Sequence, residues 1–324
     1  MKIVIAGALG HIGSRVLRDL PAFFPGAEFI LIDNMMTQRY CSLFNLPKDA
    51  SYRFIEEDIL DLDLIKIIKK ANVCFQLAAI TNAAGSFEMK EKVEFNNFNT
   101  TKLIAEACAI TDAPLIHLSS TSVYGTQKNI VDEFCGKEEL MPQSPYAETK
   151  LNEENYLKEL GKNKNLRFVT LRFGTICGIS PGMRFHTAVN KFCWQAILGQ
   201  PLTVWRTALH QKRPYLALDD AIDVFSFIIK NNIFDRQVYN VLSDNLTVND
   251  IINLIAKHIE HIKIEYVDTE IMNQLSYEVS RKRIEGKGFV FNGSIEKSIS
   301  NTINILKKVE KNDKKEKIIY EKRI

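Results

Sequence analysis

Cysteine is sparse and scattered. The six cysteines stand at 41, 74, 108, 135, 177 and 193, and the closest pair, Cys177 and Cys193, is 16 positions apart. That excludes a Cys-x-x-Cys metal or redox motif and argues against a compact disulfide framework, so a reducing cytoplasm is the expected setting. No apolar run reaches the roughly 18 residues a membrane helix needs. The opening Met1-Lys2-Ile3-Val4-Ile5-Ala6-Gly7 only superficially resembles a signal peptide: the apolar run is too short, and glycines and Arg15 follow at once. Net charge is also scarce. A formal +3 over 324 residues gives no reason to expect nucleic acid or a membrane surface as partner. The positive excess lies partly in Lys307 to Ile324, read as a solvated, frayed helix end. Internal repeats and low-complexity linkers are lacking too. Hydrophobic content of 46% and charged content of 25% are those of an ordinary soluble globular chain.

What is present alternates. Lys2 to Ala6, Phe29 to Ile32, Arg53 to Ile55, Val73 to Leu77, Leu115 to Leu118 and Phe168 to Arg172 are short apolar runs of the kind found in buried parallel strands. Helical spacing fills the intervals at Ile12 to Leu20, Leu60 to Lys70, Val93 to Ile110 and Tyr146 to Leu160. This order predicts an α/β chain built on a doubly wound parallel sheet. After about Gly174 the pattern loosens, with helices expected at Asp219 to Asn231 and, from an N-cap at Thr247 with Asp250 at N3, to Ile259. A division into 1–174 and a smaller lobe, 175–324, is expected, with 213–242 packing back on the first part. The lobe should complete a cleft.

Gly7-Ala8-Leu9-Gly10-His11-Ile12-Gly13 follows a strand and opens a helix. Glycines spaced this way allow a tight turn, close approach of backbone to a pyrophosphate, and a helix N-terminus facing the phosphates. Asp33 ends the second strand, 20 residues after Gly13. A carboxylate there accepts hydrogen bonds from the ribose hydroxyls and repels a 2′-phosphate, which predicts NAD over NADP. Asp58 is placed either to meet the adenine or to cap the next helix; Asn34 and Ile59 beside these acids join the expected cofactor set.

Tyr146 and Lys150 lie four residues apart in Ser144-Pro145-Tyr146-Ala147-Glu148-Thr149-Lys150, so both project from one helical face. An ammonium beside a phenol favours the phenolate, and a tyrosine must be lowered from its usual value near 10 to act as a base near neutrality. Upstream stands Ser119-Ser120-Thr121-Ser122-Val123-Tyr124-Gly125.

Together these motifs resemble the extended short-chain dehydrogenase/reductase family, in particular its nucleotide-sugar epimerases and dehydratases, over nearly the whole chain. The resemblance implies a Rossmann-like fold with a smaller C-terminal substrate lobe, bound NAD, and a homodimer formed through the 93–110 and 146–160 helices. Leu77-Ala78-Ala79 is similar to the family's fourth-strand end, with Gln76 where a His is usual. Ala78, Ala79 and Thr81 should line the cofactor groove, and Thr81 the substrate as well. The pattern assigns Tyr146 as base, Lys150 as its partner and nicotinamide-ribose contact, and Ser120, five residues before Gly125, as the hydroxyl on the reacting oxygen, with Thr121 as second choice. The segment from Leu171 to Gly178 resembles the family's LR-x-x-N-x-YG, but carries Gly174-Thr175 and Cys177; Thr175 is a substrate candidate. Arg213, in Arg213-Pro214-Tyr215-Leu216-Ala217-Leu218-Asp219-Asp220, is the candidate diphosphate ligand, since guanidinium matches phosphate oxygens. Arg184, His186 and Arg206, the last beside Trp205, are further substrate candidates. Arg281 is out of register with the family's late arginine.

The 4,6-dehydratases of this family carry Asp-Glu after the catalytic Thr, where this chain has Thr121 and Ser122. The fucose-synthase type uses a Cys after its Ser, where Thr121 stands; Cys177 and His186 keep that route open weakly. The reading is therefore NAD-dependent oxidation and reduction of a UDP- or GDP-linked sugar at C4, as a 4-epimerase. A C4-dehydrogenase releasing a 4-keto sugar and a non-catalytic NAD sensor are the alternatives. No metal is expected.

Overall fold

Short Ile- and Val-rich runs become the strands of a parallel sheet because both of their faces are covered. The structure is a computed structural model and describes residues 1–81, 87, 89–125, 130–268 and 276–307. Seven strands form the main sheet: β1 (Lys2–Ala6), β2 (Glu28–Asp33), β3 (Ser51–Glu56), β4 (Val73–Gln76), β5 (Leu115–Ser120), β7 (Phe168–Phe173) and β11 (Val238–Val241). Their order is β11-β7-β5-β4-β1-β2-β3, parallel at every pairing. The direction of winding reverses between β1 and β4, which opens a crevice at the carboxyl ends of those strands.

Alternate residues serve opposite layers. Ile3, Ile5, Phe29, Leu31 and Phe75 pack toward Leu17 and Leu20 of α1 (His11–Phe23) and Phe225 of α6 (Leu218–Lys230). Val4, Ile30, Ile32 and Cys74 pack toward Ile104 and Cys108 of α3 (Lys90–Thr111) and Leu157 and Leu160 of α4 (Pro145–Asn163). Truncating a core residue such as Leu17 to alanine should cost about 2–5 kcal/mol. Leu60 to Lys70, expected as one helix, is a 3₁₀ turn at Ile59–Asp61 followed by the short α2 (Leu64–Ile68). Asp58 and Asp63 each accept a backbone N–H at the start of these turns and so interrupt the run.

The remaining strands are short. β8 (Thr175–Cys177), β10 (Lys212–Ala217) and β12 (Asp244–Thr247) form one small sheet; β9 (Leu202–Trp205) pairs β13 (Ile264–Val267), and β6 (Ile130–Val131) pairs β14 (Glu278–Val279). The strands β8, β9 and β10 with α5 (Ala188–Ile197), α7 (Val248–Ala256) and α9 (Ile295–Leu306) surround a separate core that includes Phe192, Val204, Ile251, Ile255, Ile299 and Ile303, while α8 (Lys282–Glu285) packs Ile284 on the main-sheet core and β6 and β14 pack Val131 and Val279 around Tyr124 and Tyr277. Thr247 caps α7 with Asp250 in a reciprocal capping box. The lysine-rich tail expected as a frayed helix end lies, beyond Lys307, outside the described residues.

Candidate active site

The glycine turn sits where β1 enters the crevice. Gly7 has φ +75, and a Cβ on it would lie 2.6 Å from the Ala78 nitrogen. A Cβ on Gly13 would lie 2.5 Å from the Gly7 carbonyl. Both positions are thus glycine for reasons internal to the chain: close contact with the β4 end and close packing of helix on turn. Gly10 differs. As the N-cap of α1 it has φ −65, and its nearest neighbour to an added Cβ is the Gly7 carbonyl at 3.5 Å. No protein atom requires glycine there, and the free space lies beside the helix N-terminus in the cleft. That space suits a pyrophosphate against backbone N–H groups.

One half of the cleft is walled by Gly7, Gly10, Asp33, Asn34, Asp58 and Ile59, with Leu77, Ala78 and Ala79 from the end of β4. Asp33 accepts the Leu9 and Met35 N–H groups, both at 3.0 Å, which fixes its carboxylate in the cleft wall. Asp58 caps the Ile59–Asp61 turn, as one expectation had it, by accepting the Leu60 N–H, and it also lines the cleft, bonded to the Asn34 amide at 2.9 Å. These donors and acceptors fit the adenosine and pyrophosphate of a dinucleotide. The same wall holds residues that sequence reading passed over: Arg39, Asn96 and Thr100. The i, i+4 pairing of Asn96 and Thr100 on α3 was a usable signal; nothing in the sequence pointed to Arg39.

The other half brings together His11, Ile12, Gly13, Thr81, Ser120, Ser122, Tyr146, Lys150, Thr175, Arg184 and His186. Tyr146 and Lys150 come from the first turns of α4, started by Ser144, whose hydroxyl accepts the Ala147 N–H at 3.2 Å, and by Pro145. The Lys150 Nζ lies 6.0 Å from the centre of the Tyr146 ring. Burial holds the Tyr146 phenol above its ordinary value, and the Lys150 ammonium offsets that rise only in part. Burial would also push Lys150 down, but the Glu153 carboxylate and Tyr146 hold it above the ordinary lysine value, so it stays cationic. His11 is nearly buried, its Nε2 on the Gly178 carbonyl at 2.9 Å; burial lowers it to about 4 and leaves it neutral. His186 is lowered to about 4, first by burial and then by Arg184. Arg184 borders both halves of the cleft and is itself pushed down to about 10 by burial and by Arg39.

Several expected contacts are placed elsewhere. Thr121 is buried, and its hydroxyl donates to the Phe173 carbonyl at 3.2 Å. Within the 3₁₀ turn at Thr121–Val123, Ser122 lines the cleft, where its hydroxyl donates to Ser120 Oγ at 2.9 Å. The alternation along the end of β5 would have pointed to Ser122. Arg206 is exposed, paired with Asp268 at 3.3 Å and stacked on Tyr266, and neither it nor Trp205 beside it lines the two halves of the cleft. Arg213 lies outside those walls as well, 5.4 Å over the Tyr277 ring and bonded to the Lys212 carbonyl and Gln211. Arg281 is held by Glu285 and the Leu242 carbonyl. Cys177 is buried, its thiol pushed up to about 12 by burial, which leaves no thiolate chemistry at that position. Cys74, Cys108 and Cys193 are buried core residues, as expected.

Comparison with known proteins agrees with this geometry. The curated relatives include a trifunctional UDP-glucose 4,6-dehydratase/UDP-4-keto-6-deoxy-D-glucose 3,5-epimerase/UDP-4-keto-L-rhamnose-reductase of Arabidopsis thaliana, 27% identical over 93% of this chain and 46% of that protein. Another is an uncharacterized UDP-glucose epimerase of Bacillus subtilis, 28% identical over 68% of this chain and 70% of that protein. The chain spans about half the length of the first of the curated relatives it matches, at 46%, 46% and 44% of theirs. Among solved structures, UDP-glucuronic acid 4-epimerase from Bacillus cereus, in complex with UDP-glucuronic acid and NAD, superposes with a TM-score of 0.83 at 25% identity, covering 95% of this chain and 99% of that one. The model of the NAD dependent epimerase/dehydratase family matches residues 3–241, from β1 through the last strand of the main sheet, and the chain belongs to that family.

Proposed function

We propose that the chain is an enzyme that oxidises and re-reduces a nucleotide-diphosphate sugar at C4, the net reaction being 4-epimerisation. The observation carrying this reading is the meeting of Tyr146, Lys150, Ser120 and Ser122 in one wall of a cleft that begins at the glycine turn. NAD bound along that turn would supply the two-electron acceptor and donor. Tyr146, as phenolate, takes the proton of the C4 hydroxyl, and the Ser120 hydroxyl holds the same oxygen. Lys150 favours the phenolate and supplies a cation at the ribose. When the keto sugar presents its other face, Tyr146 returns the proton. Thr175, His186 and Arg184, which line the same cleft, would orient the sugar.

The cleft also disfavours the other reactions of the family. Among the described residues, no carboxylate and no cysteine lines its catalytic half. Acid-assisted loss of water and thiol-assisted epimerisation next to a carbonyl therefore lack their groups. A non-catalytic sensor needs none of the Ser120, Tyr146 and Lys150 set. The homodimer expected from the resemblance is part of this proposal: α3 leaves Phe95 and Ile110 exposed along the face where a second copy would sit. Light scattering showing a monomer at micromolar concentration would remove it.

The test is incubation with UDP- and GDP-sugars, following products by NMR and reduced nicotinamide by absorbance. A C4-inverted sugar without net reduced cofactor is expected. Accumulating reduced cofactor with a 4-keto sugar would replace the reading with a C4-dehydrogenase, and no product from any sugar despite bound NAD would sink it.

A further inference from the structure

Helix α4 carries two adjacent carboxylates, Glu153 and Glu154, each fully buried. Glu154 holds the fold together: it accepts two hydrogen bonds from Arg172, at 2.9 and 2.7 Å, and one from the Ser119 hydroxyl at 2.6 Å. Glu153 faces the catalytic pair instead. It lies three residues beyond Lys150, and its Oε2 accepts from Lys150 Nζ at 2.9 Å and from His117 Nε2 at 2.7 Å. Its Oε1 has no hydrogen-bond partner among the described residues. His117, fully buried on β5, rests its other ring nitrogen 3.3 Å from the Thr170 hydroxyl on β7. Burial holds His117 below its ordinary value. A neutral ring then donates from Nε2 to Glu153 and accepts at Nδ1 from Thr170.

We propose that Glu153, clamped by His117, is a positioning residue that pairs with the Lys150 ammonium and so sets the pH at which Tyr146 becomes a base. The inference rests on Tyr146 and Lys150 being the proton-transfer pair. Without Glu153 the Tyr146 phenolate itself still favours the Lys150 ammonium; freed of its carboxylate that ammonium stabilises the phenolate with its full charge, whereas a paired one stabilises it with less. The groups facing this centre come from three places: Lys150, Glu153 and Glu154 on α4, His117 on β5, and Arg184 from the segment after β8. Of these, Lys150 and Arg184 favour the phenolate, and Glu153 opposes it. The pairing has a second effect. A lysine stem is flexible, and the short bond to a carboxylate itself held by His117 keeps Nζ in one place beneath the Tyr146 ring.

The experiment titrates Tyr146 directly, in the full chain with NAD added and no sugar. Near-ultraviolet phenolate absorbance of the Tyr146→Phe protein is subtracted from that of the wild type, and the pair is repeated with Glu153→Gln. The expected result is a Tyr146 midpoint about one pH unit or more lower in Glu153→Gln. Glu153→Met, which removes the same charge, should repeat the shift and decides the matter if the Gln protein does not fold. A thermal midpoint that drops while the Tyr146 midpoint stays put, or rises, overturns the proposal. Loss of the fold in both variants also overturns it, in favour of a purely structural carboxylate. Because no sugar is present, a shift seen alongside a failed sugar panel would retire the epimerase reading and leave this one standing.

Discussion

Gly10 and Gly13 stand three residues apart in one turn, yet alanine at each should fail in different ways. At Gly13 the new Cβ would meet the Gly7 and Ala8 carbonyl oxygens at 2.5 and 2.6 Å, and neither is a side chain that can move aside. Overpacking of this kind costs about 1–3 kcal/mol. With each kcal/mol worth about 2–4 °C in a chain of this size or somewhat smaller, the melting temperature should fall by several degrees. At Gly10 the backbone already has φ −65, which alanine adopts freely, and the Cβ meets protein no closer than 3.5 Å. Losing a glycine N-cap costs a few tenths to about 1 kcal/mol, and the stiffer unfolded chain returns a similar amount. Gly10→Ala should therefore melt within a few degrees of the wild type. Its Cβ, however, fills the space beside the helix N-terminus. Displacing a pyrophosphate from one charge-assisted backbone bond costs about 1.5–3 kcal/mol, or roughly 10- to 150-fold in NAD affinity. Calorimetric titration with NAD and a thermal melt on both variants make the test. Wild-type NAD affinity in Gly10→Ala would refute the placement of the cofactor in this turn.

The other expectations are briefer. Glu154→Gln leaves Arg172, 2% exposed, as an uncompensated buried charge, and urea unfolding should show a loss of about 3–5 kcal/mol. His11 makes stability fall on mild acidification. Its folded value of about 4 lies below its ordinary 6.5, so as the pH drops through that window the unfolded chain takes up the proton first, and the stability present above 6.5 is lost toward 4. Between pH 7 and 5 the share of the loss due to His11 should be about 2 kcal/mol, and His11→Gln should remove that share from the urea-midpoint profile, leaving the parts due to His186 and His117. Tyr146→Phe should lower turnover by about 10²- to 10⁴-fold with NAD affinity unchanged, read by calorimetry beside the sugar assay.

Periodicity made the layers readable. Strand residues such as Ile3 and Val4 are apolar on both faces, and that alone demanded helices above and below the sheet. The spacing of Gly7, Gly10 and Gly13, the acid at Asp33, and the four-residue step from Tyr146 to Lys150 are local facts, because each depends on one turn or one helix. Local reasoning failed where turns cut a periodic run. The Leu60 to Lys70 run is interrupted by the turns that Asp58 and Asp63 start, whereas Thr121 and Ser122 keep the alternation of β5, one buried and one beside Ser120 at the cleft. Arg206 and Arg213 stand in segments whose short strands the chain pairs across long separations, and there no local pattern reports which way a side chain turns.

The sequence by itself determined the order of the layers, the nucleotide turn and the pair at the start of α4, since helix and strand periods act over a few residues. Only the tertiary structure decided what surrounds that pair. Glu153 reads as one more charge on a polar helix until β5 brings His117 against it, 36 residues away in the chain, and β7 sets Thr170 against the far side of that His117, 53 residues from it. Burial then turns an ordinary carboxylate into a fixed countercharge, because only where water is excluded does a single charge bear strongly on its neighbours.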